Sequence, residues 1–253
     1  MDDDELRARL RVEAFPRSNR YDPRWVMENL MGPNVLWLTE AVTQAIELRP
    51  GMKVLDLGCG RAVSSIFLAQ EFEVEVWAAD LWIPAEDNRE RIAAAGLSGR
   101  VTAVHVEAHD LPFAAGFFDA IVSLDAYHYF GTDDLYIGYL ARFLRPAGSI
   151  GIAVPGVTFE LPDGPTPDLA EGWEWDFCSF HSPEWWRRHW AKTGRVTVER
   201  ADMIADGHGL WLRWLETCRD AGYRAPEAEI ELLRRDAGKT LGFTRVIATV
   251  TVA

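Results

Sequence analysis

The sequence predicts an α/β protein with a doubly wound, mostly parallel β-sheet and helices on both of its faces. Two observations support this prediction. From residue 52 onward, short apolar runs alternate with helical segments, which is the pattern of a parallel sheet covered on both sides. The first run leads directly into Gly58, Cys59 and Gly60 and then into a helix, which is typical of a ligand-binding turn in such sheets.

Hydrophobic periodicity divides the chain into elements. We expect strands over residues 53–57, 74–80, 101–107, 118–124, 149–154, 195–200 and 243–252, and helices over 62–70, 84–95, 132–143 and 183–192. Pro84 suits the start of the second helix, because the first N–H groups of a helix need no intrahelical partner. Ser182 is the expected N-cap of the fourth helix.

Three segments lie outside this alternation, over residues 1–34, 156–182 and 206–240. We expect the first to form a cap over the site and the other two to be inserted lid or substrate-binding segments. An amphipathic helix follows the cap, and its apolar face contains Val35, Leu38, Val42, Ala45 and Ile46. Because no repeat or long linker divides the chain, we expect one domain over residues 1–253.

Composition narrows the class of protein and its partners. The 253 residues are 48% hydrophobic and 26% charged, which is ordinary for a globular domain, and no run approaches the roughly 20 apolar residues that cross a bilayer. A formal net charge of −13 disfavours nucleic acid, whose binding depends on clustered Lys and Arg. The acidic first residues and three scattered cysteines favour a cytoplasmic location and no metal site. The oligomeric state stays open.

The glycine turn and a later acid suggest a nucleotide-like ligand. The helix after Gly60 presents unpaired N–H groups and the positive end of its dipole, which suit an anionic group. Asp80 ends the next strand, where a carboxylate can accept hydrogen bonds from a ribose diol. These features fit NAD and S-adenosylmethionine equally well.

Three details favour S-adenosylmethionine over NAD. The turn is followed by Arg61, Ala62 and Val63 and lacks the third small residue of dinucleotide-binding turns. Asp56 places a carboxylate in a buried strand end, where it needs a strong compensating interaction, and a cationic amino-acid tail would supply one. The third detail is the sequence of residues 144–149 before the next strand, which resembles the turn after the fourth helix of class I methyltransferases.

The chain resembles the class I S-adenosylmethionine-dependent methyltransferases, in particular the small-molecule branch of the ubiquinone-biosynthesis enzymes. The resemblance spans about residues 35–155 and the closing strands. Its motifs are Val54-Leu-Asp-Leu-Gly-Cys-Gly60, the acid Asp80, Glu107-Ala-His-Asp-Leu-Pro-Phe113 and Phe118-Asp-Ala-Ile-Val-Ser-Leu124. It implies a Rossmann-like, seven-stranded sheet with an antiparallel last strand.

The resemblance also implies roles for individual residues. Those expected at the cofactor are Tyr21 in the cap, Asp56, Gly58, Cys59 and Gly60 at the methionine part, Asp80 and Leu81 at the ribose, Glu107, Ala108 and His109 at the adenine, and Leu124 and Asp125 beside the transferable methyl group. Glu107 departs from the family, in which aspartate is more usual.

The acceptor site and the catalytic residues are read from the loop after residues 118–124. Tyr127 and His128 are the candidates, because loops at this edge of a sheet bind ligands and a histidine near neutral pKa can act as a base. A structural hydrogen bond from His128 to a loop carbonyl is the alternative. The aromatic residues after residue 150 suit an apolar or a cationic acceptor, although Trp211, Trp214, Leu215 and Cys218 repeat at helical spacing, which packing explains better.

These observations predict a methyltransferase that transfers a methyl group to an oxygen, nitrogen or carbon atom of a small molecule and releases S-adenosylhomocysteine. Positioning of the acceptor is expected to supply most of the catalysis. Two alternatives stay open at this point. One is an NAD-dependent oxidoreductase, and the other is a noncatalytic S-adenosylmethionine-binding protein.

Overall fold

The computed structural model describes residues 1–251 and contains seven strands. They are β1 (Lys53–Leu57), β2 (Glu75–Asp80), β3 (Val101–His105), β4 (Phe118–Leu124), β5 (Leu144–Val157), β6 (Val196–Met203) and β7 (Leu241–Val250). The strands form one sheet in the order β3-β2-β1-β4-β5-β7-β6. Strands β1 to β5 pair in parallel, and β7 is antiparallel to both β5 and β6. The predicted fold class, including the antiparallel last strand, is therefore confirmed.

The strand order fixes where a ligand can bind. The chain runs from β1 outward to β3 and then returns to pair β4 on the other side of β1. Loops leaving β1 and β4 therefore diverge and open a crevice at the carboxyl ends of these strands. This reversal point is the usual ligand site of an open α/β sheet.

Several predicted strand bounds differ from the observed ones. Strands β1 and β4 match the prediction, because both are buried on both faces. Strand β5 begins at Leu144 instead of residue 149, since Leu144 pairs with Phe118 ahead of an irregularity in the ladder. Strand β7 begins at Leu241 and ends at Val250, and the predicted end of this strand at Val252 lies outside the described residues.

Ten α-helices accompany the sheet in residues 1–251. They are α1 (Asp3–Leu10), α2 (Pro23–Glu28), α3 (Val35–Thr43), α4 (Val63–Phe72), α5 (Ala85–Ala94), α6 (Tyr136–Ala141), α7 (Pro167–Ala170), α8 (Pro183–Ala191), α9 (Gly207–Asp220) and α10 (Glu227–Asp236). Helix α6 is shorter than predicted, because the Asp133 side chain accepts the Leu135 N–H and forms a turn there. Ser182 caps α8 as expected, through its hydroxyl and the Trp185 N–H.

The core consists of two layers on opposite faces of the sheet. Helices α3, α4 and α9 contribute to one layer, whereas α6 and α8 contribute to the other. Trp186 and Trp190 of α8 are fully buried and surround Tyr127.

Among the helices of residues 1–251, none has the length and the apolar character that a membrane span requires.

Replacing Trp190 with alanine should lower the free energy of unfolding by about 3–5 kcal/mol, because it empties a fully buried aromatic site. Urea denaturation followed by far-ultraviolet circular dichroism measures the change. The matched control is Trp175→Ala, which removes a side chain that is 87% exposed and should leave stability nearly unchanged. Equal effects of the two substitutions would contradict this description of the core.

Candidate functional site

A cavity of about 300 Å³ lies at the carboxyl ends of the central strands. Its walls are the loops that follow β1, β2, β3 and β4, and part of the N-terminal region closes over them. The wall residues are Val26, 29–33 and Val35 of the N-terminal region, 57–61, Val63, 79–82, 106–109, 124–126, Tyr129, Phe130 and Trp214. The cavity therefore occupies the crevice that the strand order predicts.

The structure brings most of the predicted cofactor residues together in this cavity. Those that line it are Gly58, Cys59, Gly60, Asp80, Leu81, Glu107, Ala108, His109, Leu124 and Asp125. Tyr21, Asp56, Tyr127 and His128 do not line it.

The glycine turn is held tightly between two neighbouring loops. The N–H groups of Gly58 and Cys59 both donate to the carbonyl of Ala79, at 2.8 and 3.1 Å. Gly58 has a φ of 75°, and a methyl group there would come within 2.3 Å of the Ala126 side chain. Only glycine meets both conditions, so the backbone of the turn reaches the cavity without an obstructing side chain.

Asp80 joins the loop after β1 to the loop after β2. Its carboxylate accepts the N–H of Gly60 at 2.8 Å through Oδ2, and those of Trp82 at 2.7 Å and Ile83 at 2.8 Å through Oδ1. A carboxylate offers about four acceptor positions, so these bonds leave about one for a ligand. Asp80 therefore builds the cavity wall in addition to its predicted contact with a ribose.

Asp56 has a different role from the one expected. Its side chain is fully buried, and its Oδ2 accepts the hydroxyls of Ser64 and Ser65, both at 2.6 Å. Burial raises the pKa of this carboxyl to about 6. The first turn of α4 therefore supplies part of the compensation that we expected from a cationic ligand, whereas Oδ1 is buried without a partner in residues 1–251. Asp56 does not line the cavity, so its contact with the cofactor stays a prediction.

Tyr21 also lies away from the cavity. Its ring packs against Trp25 and Phe67, and its hydroxyl donates to Glu71 at 3.3 Å. These contacts fasten the N-terminal region to α4. Met31 takes the expected position instead, since a methyl group on Gly60 would come within 2.7 Å of the Met31 sulfur.

The two predicted catalytic residues are buried and do not line the cavity. Residues Tyr127–Tyr129 form a short 3-10 helix that turns Tyr127 and His128 inward and leaves Tyr129 half-exposed at the cavity. Tyr127 is fully buried among aromatic rings, and burial raises its pKa. His128 is 2% exposed, and burial lowers its pKa to about 3. A weak base that does not line the cavity is poorly placed to deprotonate an acceptor within it.

Asp125 lines the cavity and is the ionisable residue that best fits the general-base role that we expected of His128. It follows β4 with a left-handed φ of 55°, and a methyl group on Gly32 would come within 2.3 Å of its Oδ2. Its carboxylate forms no hydrogen bond with residues 1–251. Burial and then the charge of Glu229 raise its pKa well above the ordinary value.

Other cavity residues were missed by sequence reasoning. The helical spacing of Trp214 indicates packing, and this side chain is indeed buried, but it also lines the cavity and donates its indole N–H to the Gly32 carbonyl at 2.9 Å. Trp82 lies beside Tyr129, with ring centroids 5.5 Å apart. The sequence signal for Trp82 was its position: it follows Leu81 directly after Asp80, where the strand ends.

Known proteins support the family resemblance. Residues 54–148 match the family model described as the methyltransferase domain. This segment is less than half of the chain and is similar to that domain. It contains the glycine turn, Asp80, the loop after β3 and Asp125. The predicted resemblance to class I S-adenosylmethionine-dependent methyltransferases is therefore confirmed.

Individual relatives of this chain are also named methyltransferases. The methyltransferase GfsG of Streptomyces halstedii is 32% identical over 143 residues, which are 56% of this chain and 50% of that protein. The demethylmenaquinone methyltransferase of Mycolicibacterium gilvum is 33% identical over 133 residues, 53% of this chain and 54% of that protein. The matches thus span about half the length of these relatives.

A solved structure extends the likeness of the fold to nearly the whole chain. Haemonchus contortus phosphoethanolamine N-methyltransferase 2, in complex with S-adenosyl-L-methionine, superposes with a TM-score of 0.72 at 18% identity. The superposition covers 98% of this chain and 60% of that one. At this identity the likeness shows a shared fold.

The burial of His128 predicts how acid affects stability. Because its pKa is about 3 in the folded chain and ordinary in the unfolded chain, unfolding takes up a proton between about pH 6.5 and 3. The folded state therefore loses up to about 1.4 kcal/mol per pH unit as the pH falls through this window. Urea denaturation from pH 6.5 to 4.5 should show a smaller loss in His128→Phe.

The matched control for this measurement is His109→Asn, which replaces a half-exposed histidine. It should keep the pH dependence of the unmodified protein. If His128→Phe also keeps that dependence, His128 titrates normally, and the description of its imidazole as buried and neutral is wrong.

Proposed function

We propose that the protein transfers a methyl group from S-adenosylmethionine to an oxygen, nitrogen or carbon atom of a small molecule and releases S-adenosylhomocysteine. One observation carries the proposal: within the segment similar to the methyltransferase domain, the glycine turn, Asp80, the loop after β3 and Asp125 all line a single cavity. The names of the curated relatives, which are methyltransferases, support the same reaction class.

The cavity residues fit the parts of S-adenosylmethionine. The backbone at Gly58–60 is open to an amino-acid tail, and the remaining acceptor position of Asp80 suits a ribose hydroxyl. Glu107 shapes the predicted adenine loop, since its carboxylate accepts the His109 N–H at 2.8 Å and contacts the His109 Nδ1 at 2.9 Å. The His109 ring in turn packs edge-on against Tyr136, with centroids 4.9 Å apart.

The protein's part in the reaction is mainly to position and enclose the acceptor. Bound S-adenosylmethionine supplies an activated methyl group, so holding a nucleophile in line with it accounts for much of the rate. Leu124 and the aromatic residues Tyr129 and Trp214 exclude water from this end of the cavity. An acceptor that must lose a proton meets Asp125, the carboxylate without a protein partner.

An NAD-dependent oxidoreductase explains the structure less well. Val63 occupies the position at which dinucleotide-binding turns need a small residue, and its side chain is packed with 3% exposure at the start of α4. A noncatalytic S-adenosylmethionine-binding protein would bind the cofactor and form no methylated product. A screen for acceptors that gain the mass of one methyl group separates this alternative from the enzyme.

Replacing Asp80 with asparagine should weaken S-adenosylhomocysteine binding by about tenfold or more, because the amide removes a charged acceptor from the cavity wall. Isothermal titration calorimetry measures the affinity, and urea denaturation shows whether the variant still unfolds cooperatively. Asp87→Asn, at an exposed position on α5, is the matched control and should bind normally. A folded Asp80→Asn protein with unchanged affinity would exclude the ribose contact.

We further propose that residues 1–34 act as a cap over the bound cofactor and that residues 156–182 and 206–240 cover the acceptor. The cap contributes Met31 to the surface over Gly60 and rests on the Trp214 indole. Ligand binding between these parts should hold the cap closed more of the time.

S-adenosylhomocysteine should therefore slow tryptic cleavage after Arg20 and Arg24 several-fold. Mass spectrometry of timed digests measures the cleavage rates. Arg100, in an exposed turn directly before β3, provides the internal control. Protection of all three sites alike would indicate general stabilisation, and no protection at Arg20 and Arg24 would exclude the closing cap.

A further inference from the structure

We propose that Arg61 binds the carboxylate of the cofactor's amino-acid tail and so selects S-adenosylmethionine over related adenosine compounds that lack this carboxylate. The inference rests on the proposed methyl transfer and deepens it, because it assigns one chemical group of the cofactor to one side chain. Arg61 directly follows the glycine turn and lines the cavity.

The Arg61 side chain connects the glycine turn with the cap. Its Nη1 atom donates to the main-chain carbonyl of Glu28 at 2.9 Å, and Glu28 is the last residue of α2. The next residue, Asn29, lines the cavity together with Arg61. The guanidinium group therefore lies at the edge of the cavity, where the cap meets the loop after β1.

Most donors of this guanidinium group are unused within residues 1–251. The bond to Glu28 is its one hydrogen bond with the described chain, and Arg61 forms no ion pair there. An arginine has five N–H donors in a planar fork. The bond through Nη1 thus leaves Nε and Nη2, which can bind a carboxylate side-on through two parallel hydrogen bonds.

An unpaired arginine is informative in this chain, because acidic side chains are in excess. The sequence has 39 Asp and Glu residues against 26 Lys and Arg residues, and Arg89 of α5, for example, pairs with Glu86. Among the described residues that line the cavity, Arg61 is the one arginine or lysine. Asp80, which contacts the same turn, already accepts three backbone N–H groups. Arg61 is therefore available for a negative charge that a ligand brings.

The position of Arg61 indicates which ligand group it meets. In the proposed arrangement the ribose faces Asp80 and the methyl group lies beside Leu124 and Asp125, which leaves the glycine turn for the amino-acid tail. This tail carries the only carboxylate of S-adenosylmethionine. Helix α4 begins just after Arg61 without a side-chain cap, so the positive end of its dipole also favours an anion at this corner of the cavity.

A second arginine holds the same part of the cap in place. Arg91 donates through Nε to the Asn29 side chain and through Nη1 to the Asn88 side chain, both at 3.1 Å. Asn88 in turn donates to the Gly60 carbonyl at 2.9 Å. This network connects the cap with the glycine turn beside Arg61, so the carboxylate enters a site that is already assembled.

The test compares two ligands that differ in the carboxylate alone. S-adenosylhomocysteine has this group, and its decarboxylated form, S-adenosyl-3-thiopropylamine, lacks it and keeps the ammonium group. Isothermal titration calorimetry measures the affinity of each ligand for the unmodified protein and for Arg61→Gln. We expect the unmodified protein to bind S-adenosylhomocysteine at least about tenfold more tightly than the amine, because the amine forms no charge-assisted bonds with Arg61.

Arg61→Gln should weaken S-adenosylhomocysteine binding about tenfold or more and should not weaken binding of the amine. This selective loss separates recognition of the carboxylate from a structural role, since a misplaced cap would weaken both ligands alike. If urea denaturation shows that Arg61→Gln no longer unfolds cooperatively, Arg61→Met, which keeps the apolar stem, takes its place. The matched control is Arg89→Gln, which makes the same change of charge at an exposed position outside the cavity and should keep both affinities.

The outcomes separate this inference from the proposed function. Failure of S-adenosylhomocysteine to bind the unmodified protein overturns the proposed function. If it binds and the amine binds equally tightly, the assignment of Arg61 alone is overturned. The same conclusion follows if Arg61→Gln weakens both ligands alike or leaves S-adenosylhomocysteine affinity unchanged. A loss in Arg89→Gln as large as in Arg61→Gln would indicate a general effect of net charge and would also overturn the assignment.

Discussion

Three backbone N–H groups converge on the carboxylate of Asp80, and the site depends on that convergence. One N–H belongs to the loop after β1 and two belong to the loop after β2. Without this anion, loops that diverge at the reversal point of the sheet would have no shared partner. Because the bonds are charge-assisted and largely shielded from water, they hold the cavity in shape before a ligand arrives.

Asp80 and Asp56 differ in role although both lie near the carboxyl ends of neighbouring strands. Asp56 accepts two serine hydroxyls, which connects β1 with α4, and it does not line the cavity. Asp80 uses backbone donors and keeps one edge toward the ligand. The first acid stabilises the framework, and the second shapes the site and, as we propose, also contacts what binds there.

Sequence reasoning identified the fold and most of the cofactor cavity, because both follow from local patterns. Strands buried on both faces are read directly as apolar runs, and the loops at their ends carry the ligand residues in fixed order. It failed where the direction of a side chain decides the role. The 3-10 turn at Tyr127–Tyr129 sends two polar-tipped residues into the core and the third into the cavity.

The hydrogen bond from Trp214 to the carbonyl of Gly32 has a consequence for the affinities of the two ligands. It connects the proposed cap with α9, which belongs to a segment that we propose covers the acceptor. A ligand that orders one of these parts lowers the entropy cost of ordering the other. Thermodynamic linkage makes this effect reciprocal, so each ligand raises the affinity for its companion by the same factor. Such coupling would make the cofactor and the acceptor bind cooperatively, whichever of them binds first.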